Sequence, residues 1–252
     1  MWIEFVWNPK SNPMNWNIIL GIAATLSLLL PAIAILLFRL YRSYSIVALL
    51  FTYVTTIGYN LMERNLLPAH PTFIRIYGIV NNYLDVPLML LTLLFFCPLK
   101  QQRRKLQIIF ALYVVYELAI AAIYKLDTTA IIYIMGPGML IIIVYAFYFF
   151  TRYIKTAVES GKGTGKTLML VAILFAYTCY LIVYLFYYVL KTPNTADAFL
   201  LYFIGTIISS VIMTLGLVLT SKRMQQLHEA KNTRRELTMF FNTWRHFNFG
   251  DL

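Results

Sequence analysis

Seven long apolar stretches divide the chain, at about 16–38, 45–66, 73–97, 105–125, 129–150, 167–190 and 197–220. Each is long enough to cross a hydrocarbon core about 30 Å thick, which takes roughly 20 helical residues. The stretches are continuous and rich in Leu and Ile. They lack the alternation of barrel strands, which are only about ten residues long. The pattern therefore predicts an all-α integral membrane protein, a single bundle of seven transmembrane helices. It divides the chain into an N-terminal segment (1–15), a membrane domain (16–221) and a tail (222–252).

The polar positions inside these stretches carry the candidate chemistry. The third contains Asn81-Asn82-Tyr83-Leu84-Asp85-Val86-Pro87. Asn81 and Asn82 precede Asp85 by four and three residues, so all three share a helix face. Pro87 donates no backbone hydrogen bond and frees the carbonyl one turn earlier. Asp85 lies about twelve residues, or roughly 18 Å, from the start of its span, close to the bilayer midplane. Glu117 lies equally deep in the fourth span, with Tyr113 one turn before it. Carboxylates at this depth are costly, and serve proton relays, cation sites or ligand counter-ions. The alternative is interhelical glue, with both groups hydrogen-bonded to Asn or Tyr.

Other spans add to this layer. Thr56, Tyr59, Asn60 and Glu63 recur at helical spacing in span two, and Arg75 is a candidate partner for Glu63. Span five holds Gly136-Pro137-Gly138. In span six Tyr177, Tyr180, Tyr184 and Tyr188 share one face, and their phenols need partners. Span seven offers Thr206, Ser209, Ser210 and Thr214. The candidate ligand- or proton-binding set is thus Asp85, Glu117, Asn81, Asn82, Tyr59, Asn60, Tyr113, Tyr177, Tyr180 and Ser210.

Composition sharpens the class. Only 12% of the 252 residues are charged, about half the share of a soluble domain, which leaves no room for a separate soluble catalytic domain. The formal charge is +11. With the N-terminus outside, sixteen of the 21 Lys and Arg residues face inward and five face outward, the bias of cytoplasmic loops. The expected location is the cytoplasmic (plasma) membrane, with the basic residues against anionic headgroups. They are scattered over four short inner segments, so no nucleic-acid partner is expected. Residues 1–15 lack the basic region of a cleavable signal, and Trp2, Trp7 and Trp16 suit the interfacial belt. In the tail, Leu237, Phe240, Phe241, Trp244 and Phe247 lie among Arg234, Arg235 and Arg245. That pattern predicts an amphipathic helix on the inner membrane surface or docked on a partner protein.

Several enzyme classes are disfavoured. His70, His228 and His246 fall in loops or the tail, away from any common depth for a zinc site. Cys97 and Cys179 are too few for a disulfide framework. Gly161-Lys162-Gly163-Thr164-Gly165-Lys166-Thr167 approaches a phosphate-binding loop, but Ser160 stands where the first glycine is required and no strand precedes it. No metal or cofactor is expected.

The seven-helix arrangement with an outer N-terminus is similar to that of microbial rhodopsins and other heptahelical receptors. Tyr83, Asp85, Pro87-Leu88 and Gly216-Leu217-Val218-Leu219 are similar to the rhodopsin pattern. Residues 197–220 contain no lysine, so a retinal Schiff base is not expected. The expected function is a receptor-like or sensory membrane protein that binds a small ligand or proton in a midplane polar cavity. The alternatives are a proton-coupled transporter using the two carboxylates, or a structural subunit of a larger membrane complex.

Overall fold

The computed structural model describes residues 16–97, 99–125, 127–190 and 195–248. Among these the regular structure is entirely helical: α1 (Trp16–Leu37), α2 (Tyr44–Glu63), α3 (Pro71–Leu93), α4 (Lys100–Tyr124), α5 (Thr128–Ser160), α6 (Thr164–Tyr184) and α7 (Thr195–Asn248). All seven are long and apolar enough to cross a membrane. Their outward faces carry Leu26, Ile33, Val54, Leu112, Val144 and Leu215, each more than half exposed, a surface made for lipid rather than water. The expected outer segment 1–15, with Trp2 and Trp7, lies outside the described residues.

Local signals set the helix ends. His70 accepts from the Thr72 amide at 3.3 Å through Nδ1, and Pro71 opens α3, the N-terminal position where a missing N–H costs nothing. Gly161 closes α5 at φ 63°, a left-handed cap that suits glycine.

Helices α1, α2, α3, α5, α6 and α7 contact one another in a closed ring, and α4 packs outside against α3 and α5. The buried residues of α4 are Leu106, Tyr113 and Glu117, one stripe at helical spacing. α6 and α7 meet backbone to backbone. A Cβ on Gly216 would stand 2.8 Å from the Gly165 carbonyl oxygen and 2.9 Å from the Met169 amide nitrogen. Small residues at such crossings let membrane helices gain dispersion contact where no hydrophobic force drives association.

One pairing differs from the sequence-based expectations. Arg75 pairs with Asp127 at 3.3 Å rather than with Glu63, because the start of α3 lies beside the start of α5. Arg64 turns back to donate to the Ile18 carbonyl at 3.4 Å, and its guanidinium lies 5.6 Å from the Phe203 ring centre, linking α1, α2 and α7. α7 also continues unbroken through residues 221–222 to Asn248. Its side chains are exposed from Met224 to Leu227 and at Leu237. The aromatic tail positions Phe240, Phe241, Trp244 and Phe247 have side chains outside the described set.

Candidate functional site: a polar cavity between six helices

A cavity of about 80 Å³ lies between α1, α2, α3, α5, α6 and α7. That is several times the roughly 10–15 Å³ that one water needs. Its polar wall is formed by Asn81, Asn82 and Asp85 from α3, Thr52 and Thr56 from α2, and Ser209 and Ser210 from α7. Tyr53, Tyr177, Tyr180 and Tyr202 supply the aromatic wall, and Met89, Met135 and Met213 an apolar floor. Six of the ten candidate residues converge here: Asn81, Asn82, Asp85, Tyr177, Tyr180 and Ser210.

The geometry follows from two helical stripes. The α3 spacing that puts Asn81, Asn82 and Asp85 on one face turns that face toward α6. There the Tyr177 hydroxyl donates to Asp85 Oδ1 at 3.0 Å. One turn on, Tyr180 lies edge-on to Tyr177, with centroids 5.6 Å apart, and stacks on Tyr202 at 4.8 Å. The Thr206 hydroxyl donates to the Tyr202 carbonyl at 2.9 Å. Its single hydrogen is thereby used, so in the 3.2 Å contact between them Tyr180 donates to Thr206. The aromatic wall is therefore fixed by both stacking and hydrogen bonding.

Two polar atoms of lining residues have no partner among the described residues. Asn82 Nδ2 and Ser210 Oγ are buried and unbonded, in residues only 4% and 1% exposed. Buried polar groups nearly always find a partner, and leaving one unsatisfied costs about 1–3 kcal/mol. Both belong to residues lining the cavity, where an occupant can satisfy them.

The other four candidates lie elsewhere. Glu117 is 6% exposed and faces inward beside Tyr113. It does not line the cavity. Val86 and Tyr113 both close on Gly138 in this region: a Cβ there would be 2.5 Å from Tyr113 Oη and 2.6 Å from Val86 Cγ2. Tyr59 packs on Gly78 of α3, and Asn60 is buried next to it on α2. Both sit beyond Thr56, toward the α2–α3 turn.

The Gly136-Pro137-Gly138 segment is a docking platform for tyrosines. Pro137 has no N–H to offer the Tyr133 carbonyl one turn back. The Tyr116 hydroxyl donates to that carbonyl at 2.9 Å. Tyr184 and Tyr113 donate to the neighbouring carbonyls of Ile132, at 2.7 Å, and Ile134, at 3.1 Å. Three phenols from α4 and α6 thus hold three successive α5 carbonyls, and α5 stays helical through its proline.

Tyr53, Thr52 and Tyr202 were not singled out from the sequence. Extending the Thr56–Tyr59–Asn60 stripe one turn back reaches Thr52. Tyr202 lies four and seven residues before Thr206 and Ser209, on the same face. Lys166, from the loop that approaches a phosphate-binding pattern, is instead held by aromatic groups. Its Nζ donates to Tyr153 Oη at 3.4 Å and lies 4.7 Å from the Phe95 ring centre. No protein-family model, curated protein or solved structure matches this chain.

Proposed function

We propose that the chain is a receptor-like sensory membrane protein, a single bundle with its N-terminus outside and its C-terminus inside the cytoplasmic (plasma) membrane. It binds a small polar molecule in the midplane cavity. The observation that carries this reading is the cavity itself, lined by Asp85 and by two buried polar residues whose Asn82 Nδ2 and Ser210 Oγ atoms lack partners. α7 supports the sensory part. It contributes Tyr202, Ser209, Ser210 and Met213 to the wall and continues as one 54-residue helix, about 80 Å long. An occupant that shifts α7 at the cavity shifts the end of the helix as well, and the basic tail is the surface a partner protein or the anionic inner leaflet would meet.

The test is a thermal-stability screen of the full chain in detergent against small amines, amino acids, organic acids and alcohols, in parallel with a cavity-filling Ser210→Leu variant. A bound ligand stabilises the folded state by mass action, by about 2.7 kcal/mol at a hundredfold excess over Kd. The expected result is at least one compound that stabilises the wild type and not the variant. If every compound acts equally on both, the cavity is not a binding site.

A proton-coupled carrier is the second reading. It is favoured by Glu117 Oε1, which is buried without a partner near Asp85. Proton or substrate flux in liposomes would be abolished by Asp85→Asn or Glu117→Gln, and flux that survives both changes removes these carboxyls from any transport mechanism.

A further inference from the structure

We infer that the occupant of the cavity is a small organic ammonium ion carrying one hydrogen-bond acceptor. This rests on the cavity being a binding site and names the chemistry it selects. Asp85 is the sole ionisable acid or base among the lining residues apart from the tyrosines, and no Lys, Arg or His faces it there. An isolated carboxylate at this depth is strongly disfavoured: it takes up a proton, or it keeps its charge with a cation beside it. Among the described residues, Asp85 receives one hydrogen bond, from the Tyr177 hydroxyl to Oδ1. That bond orients the carboxylate, and the described lining residues supply no counter-charge.

The aromatic wall fits the same occupant. Tyr177, Tyr180 and Tyr202 form a continuous edge-to-face and stacked array beside Asp85, and ring faces attract a desolvated cation. An anion would meet only the Asp85 carboxylate and electron-rich rings. The acceptor follows from Asn82, whose unpartnered Nδ2 is a pure donor and sits one turn from Asp85 on the same face. A hydroxyl or carbonyl a few bonds from the ammonium group would satisfy it, and Ser210 Oγ can complete the set as donor or acceptor. The cavity volume of about 80 Å³ has room for a ligand of a few heavy atoms.

Three probes of nearly equal size and different charge test this on the full-length protein in detergent at constant ionic strength: ethanolammonium, ethylene glycol and glycolate. Thermal stability and calorimetric titration are the readouts. Ethanolammonium is expected to bind the wild type at least about tenfold more tightly than ethylene glycol, the size of one charge-assisted hydrogen bond, with glycolate weakest. Asp85→Asn, which keeps an oxygen for Tyr177, should erase the preference for the cation. Binding of glycol or glycolate as tight as that of ethanolammonium overturns the cation assignment but leaves the cavity a binding site. A cation preference that persists in Asp85→Asn overturns the role of Asp85. Absence of binding by all three probes overturns the assignment too, while a hit elsewhere in the broader screen still upholds the site. Should Asp85→Asn fail to fold, the order of the three probes on the wild type decides the question.

Discussion

The Tyr177 hydroxyl of α6 donates to Asp85 of α3 across the interior of the helix ring, at 3.0 Å and 92 residues apart in sequence. A double-mutant cycle with Tyr177→Phe and Asp85→Ala should give a coupling energy of about 1 kcal/mol, the scale of interhelical hydrogen bonds in membranes. Reversible unfolding in mixed detergent micelles measures it. Strictly additive effects would show that the two side chains do not interact in the membrane.

Tyr116 matters because of Pro137. The phenol serves the carbonyl that the proline leaves open. Tyr116→Phe should cost about 1 kcal/mol in the wild type and close to nothing in a Pro137→Ala background, where the restored N–H serves the same carbonyl. Equal losses in the two backgrounds would refute this account of the clamp.

The α6–α7 crossing should tolerate no added carbon at Gly216. Its neighbours at 2.8 and 2.9 Å are backbone atoms, which cannot turn aside as a flexible side chain can. Gly216→Ala is expected to lower stability by about 1–3 kcal/mol, as overpacking does, visible as a lower melting temperature. An unchanged melting curve would mean that the helices do not approach this closely.

Lys166 and Lys162 should differ in reactivity. Lys166 is half-buried against Phe95 and Tyr153, whereas Lys162 is exposed. Under limiting amine-reactive ester, mass spectrometry should find Lys162 modified well before Lys166, and Tyr153→Ala should narrow the gap. Equal labelling in the wild type would contradict the aromatic cage.

The sequence by itself determined the seven helices and the positions of Asp85 and Glu117 along them. Hydropathy and helical rise are local properties, so a run such as 73–97 and the position of a carboxylate along it can be read without knowing any neighbour. The stripe of Asn81, Asn82 and Asp85 was legible for the same reason. What it could not determine was the rotation of each helix about its axis relative to the others. That rotation turns Asp85 to Tyr177 and the cavity, and it turns the Tyr113–Glu117 face of α4 inward against α5. It also brings in Tyr53 and Tyr202, which look like ordinary aromatic residues in apolar runs. Arg75 shows the same limit: its proximity to Glu63 in sequence suggested one partner, and the packing of α3 beside α5 supplied Asp127. Pairing across helices depends on which faces pack together, and that depends on close contacts such as Gly165 with Gly216, which only the tertiary structure contains.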